Sequence, residues 1–476
     1  MELKNSSDRN LKRLKKTLPI DPKVEEIYET FKKNGFQCFV IGGFVRDQLL
    51  KSDDSDIDLT TDATPNQVIS LFPKTILTGA EHGTVTVVSK GQPFEVTTFR
   101  CDASYSDSRR PDSVAFSSEL QEDVLRRDFT VNALAYDIEK KEIIDYVGGL
   151  ADLEKKILRT IGSAAKRFDE DALRLMRACR FVSQVQFVIE SETKKALHLF
   201  ADKIKSISAE RIQVELTKLL IGKKPSAGLE EMRESGLLSL VLPEVAATFA
   251  VEQNSHHSFD VYHHTLQVID RCKTEWSGNK EGEIQIALAA LFHDVGKVDT
   301  RVFSETTNDY TFHGHEHVSA KKTEQRMKAL RYSNRMRKAV VHLVSHHMVS
   351  YRNAWTDAAV RRFIQRVGFS MLPLLFALVR ADRFGKHAKE GANDQNNLKE
   401  LMDRIDQEME KQSALSVKDL KIDGREIMLE FDMPACKKVG DVLKYLLEVV
   451  LENPEKNEKQ QLIEEARKFF LKVQQN

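Results

Sequence analysis

Residues 39–47 read FVIGGFVRD, and residues 55–59 read SDIDL. The first stretch predicts a buried strand, a diglycine turn and the start of a helix. In the second stretch Asp56 and Asp58 are two positions apart, so on a strand their side chains point to the same face. Adjacent carboxylates repel each other unless cations lie between them, and two Mg²⁺ ions would remove that repulsion. A solvated, Asp-rich loop fits the same letters.

The diglycine turn is suited to binding phosphate. The backbone amides near Gly43 can approach phosphate oxygens closely, and the positive end of the following helix favours an anion. The guanidinium of Arg46 can bind two oxygens at once. An ordinary strand-to-helix turn would look the same, so this signal gains weight only from the acidic pair that follows it.

Composition restricts the class of protein. Hydrophobic residues make up 41% and charged residues 30% of the 476 positions, and we find neither an apolar run of membrane-spanning length nor a signal peptide. We therefore expect a soluble, cytoplasmic protein with no membrane partner. The formal net charge is zero, so a nucleic-acid site has to be a local basic patch. The N-terminal arm of residues 4–16 is basic, but we expect it to be a solvated, flexible tail.

The periodicity of the chain changes at residues 148–149. Before that point, short helices alternate with β-type runs, and after it long amphipathic helical patterns continue to the C-terminus without further strands. The predicted fold class is therefore α+β, with an N-terminal head followed by an elongated, all-α remainder. Breaks in the pattern divide the chain into a head at 24–150, a neck at 151–222, a body at 223–392 and a tail at 393–476.

Three motifs in the head resemble those of a known family. GGFVRD followed by DID resembles the first motif of the polymerase-β-like nucleotidyltransferases, and FEVTTFR at 94–100 looks like the next strand in class II transfer RNA (tRNA) nucleotidyltransferases and bacterial poly(A) polymerases. RRDFTVNALAYD at 126–137 is similar to the second motif of that family. The stretch at 101–116 resembles the flexible loop with which the family switches from adding C to adding A.

The resemblance implies roles for individual head residues. Asp56 and Asp58 would hold catalytic Mg²⁺, and Glu95 would be a third carboxylate or a general base, although a structural glutamate at a strand edge is equally compatible. Arg127 would contact the triphosphate. Asp128 and Asn132 are suited to hydrogen bonds with ribose hydroxyls.

The neck contains the stretch EDALRLMRACRF at 170–181, which predicts an amphipathic helix. Asp171 and Arg174 are three residues apart and would be neighbours on one face, and Arg177 and Arg180 repeat the spacing. Closely spaced arginines require an anion, which a triphosphate or an RNA backbone would supply. A surface ion pair at helical spacing is the simpler alternative.

Asp171 and Arg174 together can select a base. Cytosine and adenine both present an exocyclic amine beside an unprotonated ring nitrogen, so a carboxylate can accept from the amine while a guanidinium donates to the nitrogen. Uracil and guanine have the opposite polarity. Template-free choice of C and A is what the family does with this motif.

Histidines are concentrated in the predicted body. Eleven of the fourteen lie between His256 and His347, which suggests metal chemistry. Their order resembles the HD phosphohydrolase domains, here at about 256–386, whose His and Asp residues bind one or two divalent metals. The residues implied as ligands are His264, His293, Asp294, His315, Asp382 and one of the adjacent pair His346 and His347. Of that pair we expect His347 to be the ligand. Lys297 would contact a substrate phosphate, unless it is an ordinary surface lysine.

The leading interpretation is a class II CCA-adding tRNA nucleotidyltransferase whose substrates are CTP, ATP and tRNA. Its cofactors would be Mg²⁺ in the head and a divalent metal of undetermined identity in the HD domain, which would hydrolyse phosphate or 2′,3′-cyclic phosphate groups. The alternatives are a relative that adds only CC or only A, a poly(A) polymerase, an HD hydrolase with an RNA-binding head, and a non-catalytic RNA-binding scaffold. The loop at 101–116 argues against a CC-only enzyme. The sequence leaves the oligomeric state open.

Overall fold

The structure is a computed structural model that describes residues 11–52, 56–79, 83–101, 115–254, 259–351, 354–383, 388–411 and 415–474. By its internal contacts the chain forms two compact units, Met1–Pro243 and Glu244–Asn476. The helical content beyond the head and the strand-rich N-terminal part confirm the predicted α+β class.

A mixed sheet forms the centre of the first unit. Within the described residues the order of its strands is Lys12–Lys15, Glu142–Asp145, Ala135–Asp137, Cys38–Ile41, Asp58–Thr61, Gln92–Thr98, Thr84–Ser89 and Thr75–Gly79. Asp58–Thr61 and Gln92–Thr98 form the parallel pair. The runs predicted as strands from the β-type patterns, such as residues 38–41 and 142–145, are confirmed. The strands are β1 (Lys12–Lys15), β2 (Cys38–Ile41), β3 (Asp58–Thr61), β4 (Thr75–Gly79), β5 (Thr84–Ser89), β6 (Gln92–Thr98), a separate pair β7 (Arg100–Cys101) and β8 (Ala115–Phe116), β9 (Ala135–Asp137) and β10 (Glu142–Asp145).

Alternation of side chains along the strands places apolar residues on both faces of this sheet. Val40 belongs to one buried cluster together with helix residues such as Phe31, whereas its neighbour Ile41 belongs to a second cluster with Phe99 and Val124. Successive strand residues point to opposite faces. The sheet therefore has two apolar layers, and the ends of its central strands remain available for polar side chains.

Helices cover the sheet and continue into the neck. The first begins at Pro22 behind the N-cap Asp21, whose side chain accepts a hydrogen bond from the amide of Lys23. The helices of this unit are α1 (Pro22–Lys33), α2 (Gly43–Leu49), α3 (Pro65–Leu71), α4 (Leu120–Leu125), α5 (Gly149–Glu154), α6 (Ala164–Glu170), α7 (Leu173–Val185), α8 (Ser191–Phe200), α9 (Ala209–Leu220), α10 (Pro225–Glu234) and α11 (Leu237–Val241), and α12 (Pro243–Ala246) follows at the boundary.

Two predictions about this unit are wrong in detail. Strands do not stop at residue 149, because β11 (Ile157–Leu158) pairs with β12 (Val188–Ile189). The part of the N-terminal arm that the structure describes is not a free tail, since β1 pairs antiparallel with β10 and Arg13 forms an ion pair with Glu142. Both pairings join segments far apart in sequence, which local periodicity does not reveal.

The second unit is helical apart from one hairpin in its described residues. The hairpin consists of β13 (Val302–Ser304) and β14 (Asp309–Thr311). Helix Asp357–Val367 packs against both Ala388–Glu410 and Lys437–Glu452, so the predicted tail and most of the predicted body share one unit. The helices are α13 (Val261–Glu275), α14 (Lys280–Phe292), α15 (Lys297–Thr300), α16 (His315–Ala329), α17 (Asn334–His346), α18 (Asp357–Val367), α19 (Leu372–Arg383), α20 (Ala388–Glu410), α21 (Gly424–Glu430), α22 (Lys437–Glu452) and α23 (Lys459–Gln474).

No single helix among the described residues is both long and apolar enough to cross a membrane. Only the segments Asp357–Val367 and Phe369–Arg383 taken together have the required length and composition, and they are bent by 79° relative to each other.

Candidate functional sites

Three carboxylates lie close together at one end of the central strands. Asp58 is the first residue of β3, opposite Ile41 in β2, and Glu95 lies one position before the residue of β6 that pairs with Leu59. Asp56 precedes β3 rather than lying on it, so only part of the predicted strand forms. Burial and then the charge of Glu95 raise the pKa of Asp58 to about 6, with a smaller contribution from Asp56. Such mutual repulsion is the electrostatic condition that a bound cation relieves.

The diglycine turn lies beside an arginine of the second motif. Gly42 has φ +85°, a conformation that favours glycine, and a Cβ atom there would lie 3.6 Å from Nη1 of Arg127. Gly43 begins α2. Arg127 lowers the pKa of Asp58, which places its positive charge at the acidic site as the triphosphate role requires.

Arg127 is oriented by a carboxylate that sequence reasoning missed. Asp123 has no exposed surface and accepts hydrogen bonds from Arg126 at 2.6 Å and from Arg127 at 3.0 Å. Arg100 lies close enough for its own pKa to be lowered to about 10 by burial and by repulsion from Arg126. One buried carboxylate thus faces three guanidinium groups, which leaves this edge of the site positive.

Arg46 is largely engaged inside the protein. Its Nε and Nη2 atoms donate to the two carboxylate oxygens of Asp47 at 2.7 and 2.8 Å, and its Nη1 donates to Asn132 at 2.5 Å. Only 6% of the residue is exposed. The structure therefore uses Arg46 to tie the diglycine helix to the second motif, and its contact with phosphate remains a prediction.

Asp128 joins the head to the neck. One of its oxygens accepts from the amide of Phe129 and from Nδ2 of Asn132, and the other accepts from Nε of Arg177 at 2.7 Å. Burial alone would raise the pKa of Asp128, but Arg177 outweighs it and lowers the pKa to about 2. Asp128 and Asn132 are thus neighbours in the fold, and their predicted contact with ribose hydroxyls stays a prediction.

The expectation that Arg177 and Arg180 need an external anion is wrong. Arg177 is paired with Asp128, and Arg180 forms an ion pair of 3.0 Å with Glu215 of α9. Asp128, Arg180 and Glu215 are buried, whereas the side chain of Arg177 is 31% exposed, and the guanidinium of Arg180 lies 4.2 Å from the ring centre of Phe181. The protein itself supplies the anions, from segments that the helical spacing could not identify.

Residues 170–181 do not form the single helix that the pattern predicted. α6 ends at Glu170, Asp171 is extended with φ −148° and ψ 102°, and α7 begins at Leu173. The carboxylate of Asp171 accepts a hydrogen bond from the amide of Leu173 at 3.0 Å. Because aspartate competes in this way for backbone amides, it favours helix ends over helix interiors. Asp171 and Arg174 are therefore placed by a break between helices and not by helical spacing.

Arg174 is held in a fixed direction. Its Nη1 donates to Glu170 at 2.7 Å and to the carbonyl of Arg167 at 2.9 Å, and its Nη2 donates to the carbonyl of Arg126 at 3.1 Å. A guanidinium has five N–H groups, and three of those of Arg174 are engaged here, so among the described residues its Nε–H and one Nη2–H donate no further hydrogen bond.

The predicted ligands in the second unit converge. Atoms of His264, His293, Asp294 and Asp382 lie within 4.8 Å of one another, and so do atoms of Asp294, His315 and His347. Five of these six residues are buried. His347 and not His346 belongs to the cluster, since His346 bonds back to the carbonyl of His342. Helix ends set this geometry: His293 and His347 directly follow α14 and α17, and His315 begins α16.

Asp294 lies between the two groups of ligands. Its Oδ2 is 3.2 Å from Nε2 of His293 and 3.7 Å from Nε2 of His264, whereas its Oδ1 is 3.3 Å from Nε2 of His315 and 3.9 Å from that of His347. Each carboxylate oxygen thus faces a different group, as expected for a carboxylate that bridges two cations.

Three of the imidazoles are oriented by backbone carbonyls. Nδ1 of His293 lies 2.8 Å from the carbonyl of Ala290, and those of His315 and His347 make equivalent contacts at 2.8 and 2.7 Å. An Nδ1–H donor directs the Nε2 lone pair into the cluster, which is the usual arrangement of histidine ligands. The Nε2 atoms of His315 and His347 are only 3.3 Å apart. When both rings carry their proton on Nδ1, these two Nε2 atoms are acceptors that a cation would satisfy.

The charges of the cluster agree with a cation site. Burial lowers the pKa of His293, but Asp294 and Asp382 outweigh it and raise the pKa to about 10. Burial and the charge of His293 lower the pKa of His347 to about 3. A proton on His293 therefore compensates the two carboxylates when no metal ion does so, and the donor set fits a divalent metal.

A cavity of about 510 Å³ opens onto this cluster, lined by Asp294, His347 and Asp382. Lys297 also lines it and is not the surface lysine considered from the sequence, since it is 7% exposed. Its Nζ lies 2.7 Å from Asp294 and 2.7 Å from Gln253.

Most of the loop expected to switch between bases, residues 102–114, lies outside the described residues.

Three family models match the chain. Residues 38–159 match the poly A polymerase head domain, residues 186–249 the probable RNA and SrmB-binding site of polymerase A, and residues 257–409 the HD domain. Curated relatives named CCA-adding enzyme are 47% identical over 206 residues in Bacillus licheniformis and 48% identical over 220 residues in Geobacillus thermodenitrificans. The chain is a relative of the CCA-adding enzymes.

These alignments cover 43% and 46% of this chain. The chain spans about half the length of the curated relatives it matches, 52% and 54% in these two cases. The predicted resemblance to the tRNA nucleotidyltransferase and poly(A) polymerase family is confirmed, because the head, RNA-binding and HD matches follow one another along the chain in the predicted order.

Solved structures of CCA-adding enzymes resemble the chain over most of its length. The Bacillus stearothermophilus CCA-adding enzyme in complex with CTP has a TM-score of 0.70 and 27% identity, and the match covers 96% of this chain and all of that one. The Thermotoga maritima CCA-adding enzyme complexed with tRNA has a TM-score of 0.55 and 17% identity over 95% of this chain and 96% of that one, a likeness of fold alone.

Proposed function

We propose that this chain adds C, C and A to the 3′ end of tRNA, using CTP and ATP as substrates and no nucleic-acid template. The observation that carries the proposal is the convergence of Asp56, Asp58 and Glu95 beside the diglycine turn and Arg127. The similarity to a CCA-adding enzyme crystallised with CTP supports the choice of substrate. The predicted division into head (24–150), neck (151–222), body (223–392) and tail (393–476) is kept as part of the proposal.

The head residues would act on the triphosphate and the primer. Asp56 and Asp58 are the groups that hold Mg²⁺, which when bound promotes attack by a 3′-hydroxyl and neutralises the pyrophosphate. Glu95 adjoins them and can accept the proton of that hydroxyl. Arg127, directed by Asp123, faces the phosphates.

The neck residues would choose the base. The carboxylate of Asp171 accepts from the exocyclic amine of C or A, and the remaining N–H groups of Arg174 donate to the adjacent ring nitrogen. Asp128 and Asn132 lie next to Arg177, and the ribose hydroxyls would bind to the oxygen lone pairs that the internal hydrogen bonds of these two residues leave.

Extension of truncated tRNAs tests the proposal. The full chain is incubated with Mg²⁺ and tRNAs ending before CCA, after C or after CC, each nucleoside triphosphate is offered singly and together, and the products are sequenced. Discrete completion to CCA is expected, and replacement of Asp56 or Asp58 by Asn should abolish it. Long A tails would indicate a poly(A) polymerase. Arrest after CC, or addition of A alone, would indicate an enzyme that performs only part of the reaction. No extension would refute the proposal.

A second candidate function belongs to the metal cluster of the second unit. We propose that it hydrolyses phosphomonoesters or 2′,3′-cyclic phosphates at RNA ends, because the ligand cluster opens onto a cavity with Lys297 beside it. When bound there, a divalent cation supplies a hydroxide nucleophile. Lys297 is placed to neutralise a phosphate oxygen.

Separate variants distinguish the two activities. The full chain is assayed with p-nitrophenyl phosphate and 2′,3′-cyclic AMP in the presence of Mg²⁺, Mn²⁺, Co²⁺ or Ni²⁺. Asp294→Asn should remove hydrolysis and leave nucleotide addition intact, whereas Asp58→Asn should do the reverse. No hydrolysis with any of the four metals would refute this second function, and loss of both activities in either variant would refute the separation of the sites.

A further inference from the structure

The carboxylate of Asp171 is held by a residue of α9, a helix distant in sequence. Its Oδ2 atom accepts a hydrogen bond of 2.8 Å from Nη2 of Arg211, the third residue of α9. Its other oxygen accepts from the amide of Leu173. Asp171 is therefore fixed from two directions, although it lies in the extended break between α6 and α7.

The two groups proposed to read the base have counterions of opposite sign. Arg174 is oriented by Glu170, and Asp171 by Arg211. The pair that orients Arg174 is buried, with side chains 14% and 7% exposed, whereas the side chains of Arg211 and Asp171 are 44% and 33% exposed. The direction of Asp171 thus depends on a partner that solvent can reach.

Other cations compete for the same carboxylate. Burial lowers the pKa of Arg177, but Asp128, Glu215 and to a smaller extent Asp171 raise it, so Asp171 lies within electrostatic reach of that arginine. Arg174 is three residues away along the chain. Without Arg211, the Asp171 side chain could rotate towards these two arginines. Its carboxylate would then accept hydrogen bonds from the guanidinium of Arg174, and neither group would be left to bind the base.

We propose that Arg211 is a positioning residue for base selection, which keeps the Asp171 carboxylate directed at the exocyclic amine of C or A. This inference rests on the proposed base-reading role of Asp171. Arg211 lies outside the stretch at 170–181 on which that role was based, and it reaches the site because α9 packs against α7. Nucleotides with a carbonyl in place of the amine gain nothing from this arrangement, so Arg211 contributes to discrimination and not merely to affinity.

Equilibrium binding to the full chain tests the proposal without requiring tRNA extension. Dissociation constants for CTP, ATP and UTP are measured in Ca²⁺ for the wild type, Arg211→Met and Arg211→Lys. Arg211→Met should weaken CTP and ATP about five- to twentyfold and change UTP less than twofold, while Arg211→Lys should recover part of the preference. Combined with Asp171→Asn, Arg211→Met should have little additional effect, because the two act through one contact.

Lys203→Met is the matched control, since it removes the neighbouring exposed ion pair with Asp169. It should leave all three constants unchanged. Equal weakening of CTP and UTP by Arg211→Met, or no change in their ratio, would overturn the inference, as would a wild type without preference for CTP. A wild type that binds CTP selectively but extends no tRNA would refute the proposed function and leave the role of Arg211 standing.

Discussion

The carboxylate of Asp128 lies 2.7 Å from Nε of Arg177, so a residue of the second head motif is paired with the first long helix of the neck. This contact predicts a pH dependence of stability. The pKa of Asp128 in the folded chain is about 2, below the value of about 3.9 in an unfolded chain. Its contribution, roughly 2 kcal/mol by linkage, is complete above about pH 4 and is lost as the pH falls towards 2.

Urea unfolding followed by circular dichroism at pH 7, 4 and 3 measures this effect. Asp128→Asn should lower the stability of the first unit at pH 7, and the difference from the wild type should shrink at pH 3. Asp202→Asn removes an exposed pair with Lys205 and should have almost no effect at any of these pH values. A difference between Asp128→Asn and the wild type that does not vary with pH would contradict this assignment.

Arg361 connects three helices of the second unit. It donates to Glu408 of α20 at 2.7 Å and to the carbonyls of Leu451 and Glu452 at the end of α22. Arg361→Met would remove the buried cationic partner of the buried Glu408, whereas the exposed Lys411 would stay paired with it, and we expect the free energy of unfolding to fall by about 2–4 kcal/mol.

The neighbouring Arg362 offers a control, because its side chain is 43% exposed and pairs with exposed glutamates. Arg362→Met should cost less than about 1 kcal/mol. Trp276 and Trp355, the two tryptophans of the chain, both lie in this unit, so fluorescence during urea unfolding reports its stability directly. Similar losses of unfolding free energy in Arg361→Met and Arg362→Met would show that burial does not decide how much each ion pair contributes.

Gly296 allows α15 and α16 to approach each other. A Cβ atom at this position would lie 2.4 Å from the carbonyl of His315 and 2.7 Å from the amide of Ser319. Gly296→Ala should therefore displace His315, lower the thermal stability and weaken metal binding together. Gly440→Ala, in the first turn of α22 and with open space around it, should instead stabilise the chain by about 0.5–1 kcal/mol. Unchanged metal binding in Gly296→Ala would contradict the proposed close approach.

Local sequence patterns predicted the strands and the sets of site residues better than they predicted which residues form ion pairs with them. β2, β5 and β10 follow from local patterns, and the six ligands of the second unit follow from their order in five separate segments. Sequence reasoning failed where a contact depends on how distant elements pack: it did not identify Asp123, Glu215 or Arg211 as counterions. It also continued one helix through Asp171, because the apolar spacing on both sides of the break is helical, whereas aspartate binding to a backbone amide ended it.

The position of Asp294 between two ligand groups predicts how metal binding responds to single substitutions. In an Asp58→Asn background, which removes the proposed head site, equilibrium dialysis with Co²⁺ should give two ions per chain. Asp294→Asn should lose both, because each of its oxygens faces one group. His264→Ala and His315→Ala should each lose one, since they belong to different groups.

His317 provides the control for these substitutions, because its side chain is 78% exposed and lies outside both ligand groups. His317→Ala should retain both ions, and removal of metal by EDTA should lower the thermal midpoint of this variant and of the wild type but not that of Asp294→Asn. A metal that binds only the native chain stabilises it against unfolding, so the shift in thermal midpoint is a second measurement that does not depend on catalytic activity. A single Co²⁺ that survives Asp294→Asn would mean that this carboxylate does not bridge, and the two histidine groups would then have to be treated as separate sites.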